Sequence, residues 1–238
     1  VEAAVSSTRR LLRLARKTGK RIHVLHISTA EEMELLRDAK DLASVEVLPN
    51  HLTLAAPDCY ERLKGFAQQN PPVREQRHQD ALWRALNAGI VDVLATDHAP
   101  HTREEKERPY PASPSGMPGV QTMVPVMLTH VNNGKLSLQR FVELTSAGPQ
   151  RVFGLADKGR IAEGYHADFT VVDLKRKETI TEDWSKSKCG WTPYDGFEAT
   201  GWPVATIIRG GFVMRDGEIV KKGGGQPVRF NETLEPAG

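Results

Sequence analysis

Inward-facing positions at the start of the chain recur with helical spacing. Val5, Thr8, Leu12 and Ala15 fall at i, i+3, i+7 and i+10, with Arg9, Arg10, Arg13, Arg16 and Lys17 between them. The pattern predicts an amphipathic helix that Gly19 ends. Residues 21–27 form a short apolar run holding His23 and His26, read as a buried strand. Ser28-Thr29-Ala30-Glu31-Glu32 then carries two overlapping capping-box spacings and predicts a helix to about Leu42. Residues 45–48 read as a second strand, followed by the loop Pro49-Asn50-His51. Pro57, Pro71 and Pro72 make residues 56–74 mostly irregular. Residues 75–88 are helical, with Ala81, Leu82, Ala85 and Leu86 on one side, and Gly89 stops them. Residues 91–96 give a third buried strand. Strand, helix, strand, helix, strand is the order of a parallel α/β architecture with right-handed crossovers.

The texture then changes twice. A long loop, residues 97–119, holds Pro100, Pro109, Pro111, Pro114 and Pro118, and a loop of that length inside a compact domain is usually functional. Helical patterns return at 120–132 and 138–146. From Lys158 onward the pattern is of short strands, at 159–164 and 167–174. Hairpins follow at 205–209, 212–215 and 218–221, with Gly210-Gly211 and Asp216-Gly217 as turns. The expected division is an α/β portion over 1–155 and a small β portion over 156–238.

Composition narrows the function classes. The 238 residues carry 32 Lys and Arg against 30 Asp and Glu, a net charge of +2, which argues against a nucleic-acid binder. Apolar residues make up 39% and charged residues 26%, enough for a sizeable core. No apolar run approaches the roughly 20 residues of a membrane span. Two cysteines, Cys59 and Cys189, are too few for a disulfide framework, so a reducing cytoplasm is expected. The chain enters on Val1 in mid-helix pattern without an initiator Met, so a piece of a longer protein is expected.

Two residues stand where a parallel sheet places its chemistry, at the carboxyl ends of strands. In a regular strand of period two, His23 and His26 point to opposite faces; His26, at the carboxyl end, shares its face with Ile22 and Val24, and His23 faces the helix layer. Asp97 ends the third strand on the face of Val91, Val93 and Ala95, and a carboxylate there is costly unless it is paired or bound to metal. His98 and His101 follow in the same loop. A hydrogen-bonded core histidine and a turn-capping aspartate are the plain readings of His26 and Asp97. An Asp and a His at two strand ends, with two more histidines beside the Asp, instead suggest a metal constellation. His51, His78 and His130 read as surface or capping residues, and the segment 189–194 as packing. Cys59, with no base paired to it, is not a catalytic thiol.

The blocks His23-Val24-Leu25-His26-Ile27-Ser28-Thr29, Asn70-Pro71-Pro72-Val73-Arg74 and Thr96-Asp97-His98-Ala99-Pro100-His101 resemble the dihydroorotase family of the amidohydrolase superfamily. Residues 115–122 and 158–164 extend the likeness in the same order, so it covers essentially the whole chain. The resemblance implies the C-terminal part of a (β/α)8 barrel of TIM type plus a small β-sandwich portion. It implies a binuclear zinc centre in which His26 holds one ion, and Asp97 holds the other and serves as general base and acid. It implies substrate contacts from Asn70 and His101, and from the Ser115 and Gly116 backbone. The implied reaction is the zinc-dependent interconversion of N-carbamoyl-aspartate and dihydroorotate in cytoplasmic pyrimidine synthesis. A relative acting on allantoin or dihydropyrimidines is the alternative enzyme. An inactive structural partner of aspartate transcarbamoylase is the alternative outside catalysis. The implied partners are a small-molecule substrate and further copies of the chain, with no nucleic acid or membrane.

The family pattern also contains a His-x-His pair, a bridging carboxylate, a further histidine and a substrate-gripping arginine, all upstream of His26. None can be placed here, so the chain alone is expected to hold an incomplete metal site. Gln121 and His166 replace an acid common in the family, away from the metals.

Overall fold

A computed structural model describes residues 1–231, which divide into two packing units. The first comprises residues 1–123 with 179–197. It opens with helix α1 (Glu2–Thr18), whose buried face is Thr8, Leu12 and Ala15, and which ends at Gly19 with φ 65. Glycine meets that left-handed C-cap without a Cβ penalty. Strand β1 (Ile22–Val24) leads to helix α2 (Ala30–Arg37). Of the two overlapping capping spacings, the second is used: Thr29 Oγ1 accepts from Glu32 N at 3.2 Å and donates to Glu32 Oε2 at 2.7 Å. The helix stops short of Leu42, at Asp38.

Strand β2 (Ala43–Val47) is buried at every residue, polar Ser44 and Glu46 included. Two short helices follow where loop was expected, α3 (Pro49–Thr53) and α4 (Asp58–Leu63), with a 3₁₀ turn at Lys64–Ala67. Helix α5 (Gln76–Asn87) buries Ala81, Leu82, Ala85 and Leu86, the side that the periodicity marks. Strand β3 (Val93–Leu94) and the four-residue helix α6 (Arg103–Lys106) complete the run. The three strands lie parallel in the order β1-β2-β3, with Ile22 opposite Ala43 and Glu46 opposite Val93. Parallel neighbours need crossover connections, and α2 and α5 supply them. Asp92 accepts from Val45 N at 2.8 Å and pairs with Lys40 Nζ, which pins the entry ends of β2 and β3.

Strands β1 and β3 are shorter than their apolar runs, and the difference matters for the site. The chain leaves β1 after Val24, and His26 takes a φ of 38. Asp97 likewise takes a φ of 45 just beyond β3. The strict two-face alternation assigned to residues 21–27 therefore ends before His26.

The second unit comprises residues 124–178 with those from 198 onward. Helix α7 (Met123–Asn132) enters it, followed by α8 (Leu138–Val142), a π-turn at Glu143–Ala147 and α9 (Gly148–Phe153). Strands β4 (Phe169–Thr179), β5 (Glu198–Ile208), β6 (Gly211–Arg215) and β7 (Glu218–Ile219) form a sheet in that order. Both hairpin turns have two residues at positive φ, Arg209-Gly210 and Asp216-Gly217, as right-twisted strands require. The first sits one residue earlier than the Gly210-Gly211 read from the sequence. Residues 159–164 form no strand. Helices α7 to α9 group with this sheet. Among the described residues, no helix is long and apolar enough to cross a membrane.

Candidate functional site

The carboxyl ends of β1, β2 and β3 carry His26, Asn50-His51 and Asp97. Two of these residues, His26 and Asp97, occupy left-handed backbone conformations that few non-glycine residues adopt. Such conformations persist where the surroundings over-determine them, and they cluster at functional sites. For His26 the determinant is buried Glu46, whose Oε1 accepts from His26 N at 3.2 Å. The other oxygen of Glu46 lies 3.3 Å from His23 Nε2, while His23 Nδ1 lies 2.8 Å from Ser44 Oγ. His23 is thus held by two side chains of β2. Asp97 is exposed rather than buried, so no desolvation cost demands a partner for it.

The loop after Asp97 is zipped onto residues 115–119. Ala99 N donates to Met117 O at 3.1 Å, and His98 Nδ1 accepts from Gly119 N at 3.0 Å and from Val120 N at 3.3 Å. His101 Nε2 donates to Ser115 O at 3.1 Å, and its carbonyl accepts from Trp191 Nε1 at 2.8 Å. Gly116 N donates to Gln68 O at 2.9 Å, which brings in the turn that carries Asn70. Asn70, His101, Ser115 and Gly116, spread over 47 positions of sequence, therefore form one cluster. Asn70 and Ser115 line a cavity of about 980 Å³, together with Tyr60, Gln68, Lys106 and Tyr110.

Gly116 has a φ of 143, and a Cβ there would lie 2.3 Å from Ala99 O and 2.9 Å from Ala99 Cβ. Only glycine allows this approach of one turn to the other. Gly116→Ala is expected to cost about 1–3 kcal/mol, the range for a forced backbone conformation. A thermal melt checks this, and a variant melting at the wild-type temperature contradicts it.

Several residues that the sequence left aside are part of the site's framework. His51, His78 and His130 are all buried, which corrects the surface reading. His78 does cap: its Nδ1 accepts from Ala30 N at 3.0 Å, at the start of α2. His51 Nε2 lies 2.7 Å from Gln69 Nε2 and 3.0 Å from Pro71 O, while its Nδ1 is buried without a hydrogen-bond partner. Burial pushes His51 down to about 4, so the ring is neutral at pH 7. Asn50 donates to Gln69 Oε1 at 2.9 Å and accepts from Tyr194 Oη at 2.8 Å, and burial raises that phenol. The segment 189–194 packs as read, with Trp191 and Tyr194 buried. Burial raises the Cys59 thiol, which suits an inert residue. Gln121 bonds Trp184 O and Lys186 N, a structural use of its amide. The signal for Asn50 and His51 was their position just after a buried strand. Lys106 gave no such signal; it is almost wholly buried, and burial pushes its ammonium down to about 8.

The imidazole of His26 and the carboxylate of Asp97 are donors that suit zinc. Among the described residues, however, no group of three His, Cys, Asp or Glu could hold a metal ion. These residues alone do not make a complete metal site.

A parallel α/β sheet thus carries a histidine and an aspartate beyond the carboxyl ends of its outer strands. Residues 4–219 match the profile of the Amidohydrolase family, and the chain belongs to that family. It is 40% identical over 227 residues to the dihydroorotase of Pyrococcus furiosus, covering 95% of this chain and 53% of that protein. It is 39% identical over 228 residues to the dihydroorotase of Halobacterium salinarum, covering 96% and 53%. Among solved structures, the L-hydantoinase (dihydropyrimidinase) of Arthrobacter aurescens aligns with a TM-score of 0.88 and 33% identity, over 91% of this chain and 50% of that one. The chain spans about half the length of the curated relatives it matches.

Proposed function

We propose that the protein carrying this chain interconverts N-carbamoyl-aspartate and dihydroorotate, a reversible cyclic amide hydrolysis of pyrimidine synthesis. The observation that carries the reading is the charge of the cavity beside Asn70 and Ser115. Besides the buried Lys106, its wall holds Arg62, Lys64 and Arg108 against one carboxylate, Glu107. Such a wall favours an anionic ring acid over a neutral cyclic amide, because clefts of one charge sign concentrate ligands of the other. The 40% identity to a dihydroorotase supports the same choice.

In this reading Asp97 carries the proton between the attacking water and the leaving amide nitrogen. Asn70 pairs with the imide edge, His101 donates to the substrate carboxylate, and the Ser115–Gly116 backbone contacts the ring. Zinc is the proposed metal, with His26 and Asp97 each contributing to one ion and further ligands coming from outside the described residues. Strands β1 to β3 are then the last three of a (β/α)8 barrel, and β4 to β7 belong to a small β-sandwich. A cytoplasmic homo-oligomer is the proposed setting, with aspartate transcarbamoylase as a candidate partner.

A second reading, action on dihydropyrimidines or hydantoins, is favoured by the likeness to the Arthrobacter aurescens enzyme. Rates with dihydroorotate, dihydrouracil and allantoin decide between them. Preferred turnover of a neutral ring overturns the dihydroorotase reading, and absence of all three activities favours a structural partner. His101→Ala is expected to raise KM and lower kcat together, as for a donor used in ground and transition states. Steady-state kinetics check it, and an unchanged KM removes His101 from the substrate.

A further inference from the structure

We propose that Lys106 is a positioning residue of the substrate site: its ammonium ties the turn carrying Asn70 to the turn carrying Ser115 and Gly116. The inference rests on the dihydroorotase reading and adds to it a residue that acts through the two turns it joins.

The geometry is specific. Lys106 Nζ donates to Gln68 O at 3.0 Å and to Pro114 O at 2.7 Å. Gln68 stands two residues before Asn70, and Pro114 one before Ser115. The Gln68 carbonyl also accepts from Gly116 N at 2.9 Å, so one acceptor joins the ammonium and both turns. Ser113 Oγ donates to Lys106 O at 3.2 Å, and a Cβ on Gly65 would lie 2.5 Å from that same carbonyl. The two turns thus meet backbone to backbone, with Lys106 threaded between them.

The residue type argues for the role. Lys106 is 1% exposed, and among the described residues no carboxylate lies within ion-pair distance of it. The Trp191 ring lies 5.7 Å from Nζ to centroid, a weakly compensating cation–π contact. Burying an ammonium on neutral acceptors is unfavourable compared with burying a methionine of similar volume. A lysine spends that cost on its several donors, which can reach two carbonyls on separate turns at once. Trp191 in turn donates to His101 O at 2.8 Å, so the same clamp reaches the third substrate residue.

The test uses the protein carrying this chain with its full set of metal ligands, comparing wild type with Lys106→Met and Ser113→Ala. Lys106→Met is expected to raise KM for dihydroorotate by about tenfold or more with zinc content unchanged. Amide exchange should quicken in peptides 65–70 and 113–117 and stay unchanged in 43–47. Ser113→Ala should move both readouts the same way and less far; if Lys106→Met does not fold, this variant decides alone. A KM within about twofold of wild type in the folded variants overturns the inference. Exchange quickened equally in 43–47 also overturns it, by reducing Lys106 to a core-stability residue. A wild-type protein that does not turn over dihydroorotate overturns the functional reading and with it this inference. Active wild type with indifferent variants overturns the inference alone.

Discussion

Asp97→Asn is expected to lower kcat for dihydroorotate by about 100-fold or more, the contribution usual for a positioned acid–base group. The substitution is chosen on conformational grounds. Asp97 has a φ of 45, and Asn is among the few residues that tolerate the left-handed region well. The variant therefore keeps the backbone and the outline of the side chain while losing the carboxylate that the proposed reading needs as proton carrier. Alanine at this position would add backbone strain to the chemical loss and confuse the two. The measurement is kcat for the purified variant, beside a thermal melt and elemental analysis that show the fold and metal retained. More than about a tenth of the wild-type rate would remove Asp97 from the proton-transfer role.

Much of the fold could be read along the chain because the relevant forces are local. The apolar stripe of α1, its Gly19 stop, the Thr29 cap of α2 and the Asp216-Gly217 turn all involve residues within a few positions of each other. Strand lengths were less legible. Residues 21–27 and 91–96 are apolar enough for long strands, yet the regular strands stop at Val24 and Leu94, with single further bonds from Ile27 N to Glu46 O and from Ala95 N to Val47 O. Beyond the first strand a side chain distant in sequence, Glu46, accepts from His26 N. The histidines show the same limit. His51 and His78 look polar in sequence, and their burial depends on Gln69, Pro71 and Ala30, supplied by other elements.

The candidate site divides in the same manner. His26 and Asp97 could be placed by a general rule, that parallel sheets carry chemistry at carboxyl ends. Asn70, His101, Ser115 and Gly116 were named through family resemblance, and what joins them is visible only in space, through Gln68 and His101. Lys106 was invisible because a lysine flanked by Glu104, Glu105, Glu107 and Arg108 reads as a solvated surface residue. Ser113, Pro114 and Gln68 are what bury it, and all three lie outside its own helix.

The 238-residue chain on its own is expected to retain no stoichiometric zinc after dialysis against a mild chelator, and to show no turnover of dihydroorotate. A catalytic zinc normally has three protein ligands and an open position for water. Among the described residues no three His, Cys, Asp or Glu come together to supply such a set. His26 and Asp97 lie at the ends of strands separated by β2, and each is assigned to a different ion. A single imidazole or a single carboxylate competes poorly with a chelator, so each ion should be lost. His51 does not alter the outcome: its Nε2 already lies within hydrogen-bond distance of Gln69 and Pro71, and its Nδ1 is shut away from solvent. Elemental analysis of the dialysed chain gives the zinc ratio, and the same sample is assayed with dihydroorotate. Two zinc ions retained per chain together with activity would show that donors not grouped here assemble in solution, and that the assignment of His26 and Asp97 to separate, incomplete sites is wrong.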